Sequence, residues 1–433
     1  MTTIPFIGND TGLFASVEKT IQETPPHDSE LIRLSTLHQA VEYLNIEMPE
    51  LSFVYFAEDD SRAFGLLDTI MSDPWLLHGG IIALCNNYDM VTKLDGIKGA
   101  NFVVILTRDE LPKHLPRVMN IINNNRRILF QREIGSDIVR NISGSFQLHN
   151  DTFEASCYAN LICNFLYNCN RLDIEQKDLL NFSLNEMLLN AIEHGNCGIT
   201  SREKSDWLEK GGSMLDLIES KCNDPAVAER TVTFEYSITP THSRFVITDL
   251  GDGFDWRNST DSTAEENTMK LHGRGIMVTR KFTQNMTYNE KGNQVSFDFS
   301  HRENLGLITP ALFSNIDPEI VPPQKIVFRE GEPSNFLYYI VKGAYDVYAN
   351  GNKVSTLSED DVFMGEMSFL LNNRRSATVI AATEGKLIKV SKKDFVEAVK
   401  LKPHYALFLS RLLAQRIQRS NINSAASEEK KRR

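Results

Sequence analysis

The chain has 433 residues, room for about three domains. A formal net charge of -11 repels nucleic acid and anionic membrane except through a local basic patch, and no apolar run approaches the roughly 20 residues that cross a bilayer. Six cysteines (Cys85, Cys157, Cys163, Cys169, Cys197, Cys222) form no CxxC pair, which argues against a disulfide frame or zinc site. With an N-terminus, MTTIPFIGNDTGLF, that lacks a basic n-region, they point to a cytoplasmic protein.

Residues 1–115 alternate strand-like runs (IPFIG, LSFVYF, GIIAL, NFVVIL) with helical patterns such as LHQAVEYL and RAFGLLDTIM, as an open parallel α/β sheet does. The layout resembles a response-regulator receiver domain. That resemblance implies acids after the first strand, a phospho-accepting Asp ending the third, and a Lys after the fifth. Asn9 and Asp10 stand for the acids, but Tyr55 or Phe56 occupies the acceptor position and ANFVVILTRDEL has no Lys in place. A receiver-like domain without phosphorylation, used for dimerisation or docking, is expected. Residues 116–141 read as a linker helix, interrupted by a polar cluster from Asn123 to Arg127. It lacks the phospho-accepting His a histidine kinase needs there, and His149 lies beyond it.

Residues 142–302 hold the densest pattern. Phe146 to Leu148 reads as a first strand, and TFEASCYANLICNFLYNC as a helix. In NFSLNEMLLNAIEHGN, Asn181 to Asn196, a helix puts Leu180, Leu184, Met187, Leu188, Ala191 and Ile192 on one stripe. Glu186 and Asn190 stand one turn apart on the polar face. RTVTFEYSI and SRFVITDL read as strands, the latter running into Asp249-x-Gly251-x-Gly253. LHGRGIMVTRKF opens a helix with Gly273 and Gly275, and TYNEKGNQVSFDF closes the sheet around a turn at Gly292. An α+β sandwich follows.

The order ExxxN, DxGxG, GRG resembles the ATPase domain shared by histidine kinases, gyrase and heat-shock chaperones. It is most similar to the compact anti-sigma-factor serine kinases, whose helix reads E-x-x-x-N-A-x-x-H; here Glu186, Asn190, Ala191 and His194 fill that string. The resemblance implies ATP and Mg2+. Asn190 would give magnesium an oxygen ligand, and Glu186 would take a proton from an attacking hydroxyl. Asp249 would accept from the adenine amino group, with Gly251 and Gly253 making room for base and ribose. Gly273 and Gly275 would open helix N–H groups to the phosphates, where Arg274 either adds charge or is solvated. His194 is expected to pack or cap the helix end. Residues 257–269, mostly polar, are expected as a lid, and residues 198–229 form an insert that compact anti-sigma kinases do not need, a candidate partner surface.

After a linker at residues 303–317, residues 318–421 are dominated by short strands with turn glycines at Gly331, Gly343 and Gly351, the pattern of a β jelly roll with flanking helices. MGEMSFLLNNRRSATV, Met364 to Val379, resembles the phosphate-binding cassette of cyclic-nucleotide-binding domains. On that match Gly365 and Glu366 open the cassette, Glu366 accepts from the ribose 2′-hydroxyl, and Arg375 pairs with the cyclic phosphate. N–H groups around Ser376 and Ala377 complete the cradle. Asp360 and Asp361 stand where the family has Gly-Asp, and Arg374 has no matched role. The resemblance implies a cyclic nucleotide ligand, cAMP expected over cGMP. No helix-turn-helix follows, and residues 422–433 read as a disordered tail.

The multidomain chain is thus expected to be a cyclic-nucleotide-regulated protein serine/threonine kinase of bacterial signalling. Its partners would be an anti-sigma-factor-antagonist-like substrate and a sigma factor, with no nucleic acid or membrane and with a homodimer allowed. The alternative is a non-catalytic, nucleotide-gated scaffold that sequesters such a partner.

Overall fold

Ten alternating elements build the N-terminal unit: β1 (Thr2–Ile7), α1 (Thr11–Glu23), β2 (Ser29–Leu34), α2 (Leu37–Glu47), β3 (Leu51–Phe56), α3 (Ser61–Met71), β4 (Gly80–Cys85), α4 (Tyr88–Asp95), β5 (Phe102–Thr107) and α5 (Leu111–Asn124). The computed structural model describes residues 2–58, 61–73, 76, 79–125, 141–169, 171–256, 274–301, 316–358, 361–401, 405–406, 409–410 and 413. The strands pair in parallel in the order β2-β1-β3-β4-β5, a doubly wound arrangement. β4 is buried along its whole length, as a central strand covered on both faces should be.

Two features differ from expectation. β2 was not among the strand-like runs: it lies at the sheet edge, and its Glu30 and Arg33 face solvent while only Leu31 and Leu34 reach the core. The helix expected from residue 116 starts at Leu111, and Leu115, Val118, Met119, Ile121 and Ile122 bury in the core it shares with β5, α1 and the next helix, Thr152–Asn168. Its first half is therefore part of the α/β unit; residues 126–140 lie outside the described residues.

The receiver pattern is closed off within the chain. Asp10 caps α1, accepting from the Leu13 N–H at 2.8 Å, and ion-pairs with Arg108 just after β5. Arg108 also faces the Tyr55 hydroxyl. A guanidinium, not a Lys ammonium, holds the end of the fifth strand.

The central unit runs β6 (Ile142–Leu148), α6 (Thr152–Asn168), α7 (Ile174–Asn190) with a π-helical turn (Ala191–Asn196), α8 (Ser201–Glu209), α9 (Met214–Lys221), α10 (Pro225–Ala228), β7 (Val232–Ile238), β8 (His242–Thr248), α11 (Arg274–Phe282), β9 (Gln284–Tyr288) and β10 (Gln294–Ser300). The strands form an antiparallel sheet in the order β6-β7-β8-β10-β9. Phe146, Phe234, Phe245 and Phe297 line its inner face and pack with Leu161, Leu180, Leu184 and Leu188 of α6 and α7. Val295, Phe297 and Phe299 are all buried, and Gly292 turns the β9–β10 hairpin at φ 79°.

The same core continues into the N-terminal unit. α6 lies along the β5 edge, where the Asn164 and Asn160 side-chain amides donate to the Phe102 and Val103 carbonyls at 3.0 and 3.1 Å. Lys177 of α7, buried, donates to the Ala100 carbonyl at 2.9 Å and to Asn101 Oδ1 at 3.0 Å. An otherwise open sheet edge is thus covered by a helix of the same chain.

The C-terminal unit stacks two four-stranded sheets, β11-β18-β13-β16 and β12-β17-β14-β15. Its elements are β11 (Glu319–Val321), β12 (Ile326–Phe328), β13 (Phe336–Lys342), β14 (Tyr345–Ala349), β15 (Asn352–Leu357), β16 (Phe363–Met364), α12 (Glu366–Leu370), β17 (Thr378–Ala381), β18 (Gly385–Ser391) and α13 (Lys392–Leu401). Phe328, Ile340, Tyr345, Val379 and Leu387 bury between them, while Leu337, Ile388 and Val390 pack on the opposite face with Phe369 and Ala398 of the helices. Among the described residues no helix is long and apolar enough to cross a membrane.

Candidate functional site

α7 positions the first site. A capping box at Asp173 and Gln176 starts the helix, and its buried stripe of Leu180, Leu184, Met187 and Leu188 fixes its rotation. Glu186 and Asn190 are then left half-buried on the other face. The helix does not run on as α to Asn196 as expected. It widens into a π turn, with the Cys197 N–H donating to the Ile192 carbonyl at 2.9 Å. The turn is held by neighbours: His194 Nδ1 sits 2.5 Å from the Ile199 carbonyl, and Asn196 is fully buried. His194 serves the helix end.

Asn196 is the residue that sequence reasoning missed. Its Oδ1 accepts from the Leu250 N–H at 2.8 Å, its Nδ2 donates to Asn150, and its carbonyl accepts from Arg230, each at 2.8 Å. It clamps the end of β8 to the end of α7. The only signal was an Asn two residues after His194 in the string HGN.

That clamp brings Asp249 to Gly195. A Cβ on Gly195 would stand 2.6 Å from either Asp249 carboxylate oxygen, so the carboxylate occupies the space a side chain would need. Gly251 in turn lies against the Gly195 backbone, where a Cβ would come within 2.6 Å of its carbonyl carbon. Gly253, at φ 78°, backs onto Lys291, whose Nζ donates to the Gly251 carbonyl at 2.8 Å. The Asp249 carboxyl is 8 % exposed; burial pushes its pKa up, against the Gly251 N–H, Lys291 and Arg230.

At the other end of the same face, Glu186 meets the start of α11. A Cβ on Gly275 would stand 2.6 Å from Glu186 Cδ. Burial raises the Glu186 pKa; Lys204 opposes this and Glu193 adds to it. Gly273, the Arg274 side chain and the expected lid at residues 257–269 lie outside the described residues. The structure therefore brings Glu186 to Gly275, and Asp249 and Gly251 to Gly195, along one helix that also carries Asn190.

The second site lies in the C-terminal unit. Gly365 adopts φ 77°, a left-handed conformation that a side chain resists, and starts α12 at Glu366. Arg375 is 4 % exposed and folds under this turn: it donates to the Gly365 carbonyl at 2.9 Å and the Phe336 carbonyl at 2.5 Å, and stacks 4.2 Å over the Phe328 ring. Its Nε has no partner among the described residues, and burial lowers its pKa against the pull of Tyr338, Glu332 and Glu366. Glu366 is buried. Ser376 is exposed and Ala377 half-buried at the start of β17. Arg374 is not merely solvated; it donates to the Gly331 carbonyl at 2.8 Å. Asp361 accepts from the Ser358 N–H at 2.9 Å, and Asp360 lies outside the described residues.

Comparison with known proteins matches these two regions. Residues 218–299 match the histidine kinase-like ATPase domain family, a span that holds Asp249, Gly251, Gly253 and Gly275 and begins after Glu186 and Asn190. Residues 318–401 match the cyclic nucleotide-binding domain family. A cGMP-dependent protein kinase of Plasmodium berghei is 29% identical over 143 residues, covering 32% of this chain and 16% of that protein. The cAMP-dependent protein kinase type II regulatory subunit of Drosophila melanogaster is 30% identical over 103 residues, covering 24% of this chain and 26% of that protein. The chain thus spans at most about a quarter of the length of these two relatives. Among solved structures, the Thermus thermophilus catabolite activator protein aligns at 24% identity and a TM-score of 0.24, over 26% of this chain and 55% of that one. The chain joins a histidine kinase-like ATPase domain to a cyclic nucleotide-binding domain.

Proposed function

We propose that this protein is an ATP- and magnesium-dependent serine/threonine kinase of the anti-sigma-factor type, regulated by a cyclic nucleotide. The observation that carries this reading is the pairing of two carboxylates with two glycines along one helix: Asp249 on Gly195 and Glu186 on Gly275. The two contacts are nine positions apart on the helix, about 13 Å at 1.5 Å per residue. That span suits an extended nucleoside triphosphate, with adenine at Asp249 and the reacting phosphate near Glu186.

The residues fit the nucleotide and its metal. Gly195, Gly251, Gly253 and Gly275 let backbone and carboxylates pack closely against one another at this face, fixing Asp249 and Glu186 where a base and phosphates would meet them. The ion would be held by phosphate oxygens with Asn190, whose side-chain oxygen suits magnesium. Glu186, its pKa raised by burial, is suited to take the proton of an attacking hydroxyl.

In the second site Arg375 would turn its guanidinium to the cyclic phosphate, and Glu366 would accept from the ribose hydroxyl. The ligand regulates the kinase only by binding two states of the chain with different affinity. The protein substrate is a Ser or Thr of a small antagonist protein, with a sigma factor as a further partner, in the cytoplasm.

The test is transfer of the ATP γ-phosphate by the full chain to a protein captured with it from extract. The expected product is acid-stable phosphate on Ser or Thr. Glu186→Ala should lower transfer by about 100-fold or more while ATP affinity is kept. Unchanged transfer in that variant, or acid-labile phosphate on this chain, would contradict the proposal.

A further inference from the structure

The insert carries a cation onto the nucleotide face. Lys204 of α8 places its Nζ 2.5 Å from Glu193 Oε2, and the Glu193 carboxylate is 5 % exposed. Glu193 lies seven positions after Glu186 and three after Asn190, so the three side chains share one face of the helix and its π turn. Among the described residues, Lys204 also acts on Glu186, opposing the effect of burial.

That face therefore presents two carboxylates where the proposed function puts a polyanion. A triphosphate approaching Glu186 and Glu193 alone would be repelled; with Lys204 between them and the phosphates it would not. An ammonium has three donors, and Glu193 needs only one. The Lys204 side chain is 25% exposed, so its head can turn from the buried carboxylate to a ligand.

Resting on the ATP-site reading above, we propose that Lys204 binds the ATP phosphates, and that the insert at residues 198–229 completes the nucleotide site besides any role in partner binding. Glu193 pairs with the lysine at this face until the phosphates take its place.

The experiment is calorimetric titration of the full chain with ATP and magnesium. Lys204→Met leaves Glu193 buried and unpaired, which alone can unfold the site, so the deciding variant is Lys204→Met combined with Glu193→Gln. It should melt near the wild type yet bind ATP about tenfold more weakly. Lys204→Arg should bind within about threefold of wild type, and Glu193→Gln, which keeps the lysine, at least as tightly as wild type. Wild-type affinity in the double variant would overturn the proposal, as would Glu193→Gln losing as much affinity as the double variant. Absence of ATP binding by the wild type would instead overturn the site itself, and this proposal with it.

Discussion

Gly195 and Asp249 approach so closely that no side chain fits between them: a Cβ on the glycine would lie 2.6 Å from both carboxylate oxygens. The first comes from a helix end and the second from a strand end, and the buried Asn196 amide ties the two together. The glycine permits this approach, which fixes the carboxylate beside the helix end where the proposed function puts the adenine.

Gly195→Ala should displace Asp249 and both destabilise the protein, by about 1–3 kcal/mol, and weaken ATP binding. Gly275→Ala should push on Glu186 instead, lowering turnover more than ATP affinity. Melting curves and titrations on the two variants separate these effects; equal loss of affinity in both would contradict the division of labour.

Asp151 links the two N-terminal units and caps α6, accepting from the Phe153 N–H and pairing with Arg117 at 2.8 Å and His114 at 3.3 Å. Burial alone would raise its pKa, but these partners, His114 first, hold it down at about 2. A carboxyl held below its unfolded value of 3.8 adds stability that is complete above that value and is lost as pH falls toward about 2. Asp151→Asn should therefore be less stable than wild type by about 1–3 kcal/mol at pH 7, with the gap closing between pH 4 and pH 2 in denaturant melts.

Lys177 should show the same slope in an alkaline window, from burial of a cation instead of pairing of an anion. Burial lowers its pKa from 10.5 to about 8, so above pH 8 the unfolded chain binds a proton that the folded chain has released. Folding stability then rises with pH from about 8 toward 10.5 on account of this group. Lys177→Met should lack that increment. Parallel slopes for variant and wild type across this range would show that the lysine is not buried against Ala100 and Asn101.

How much of this was legible in the sequence depends on the range of the interactions. The α7 stripe and the β9–β10 hairpin are local patterns, and they lie where periodicity and turn chemistry put them. β2 escaped because an edge strand with Glu30 and Arg33 outward keeps too few apolar residues to register. The π turn escaped because its cause is remote: Gly195 must meet Asp249, 54 positions later. Lys204 sits in REKSDWLEKG, a charged run indistinguishable from a solvated helix until Glu193 is seen beneath it. The burial of α5 and the covering of β5 depend on α6, which no local pattern connects to them.

In the C-terminal unit, Arg375→Ala should lower affinity for cAMP and cGMP by about a hundredfold, since a charge-assisted contact to phosphate is lost. It should also cost about 1–3 kcal/mol of stability, because the Gly365 and Phe336 carbonyls lose their donor. Titration with both nucleotides checks the first effect and melting without ligand the second.

The most direct test of a single ATP pocket shared by α7, the Asp249 strand end and the start of α11 is one calorimetric titration of the full chain with ATP and magnesium, repeated on Asp249→Ala. One binding event in the wild type, weakened at least about tenfold in the variant, is the predicted result. No heat in the wild type, or undiminished affinity in Asp249→Ala, would contradict it.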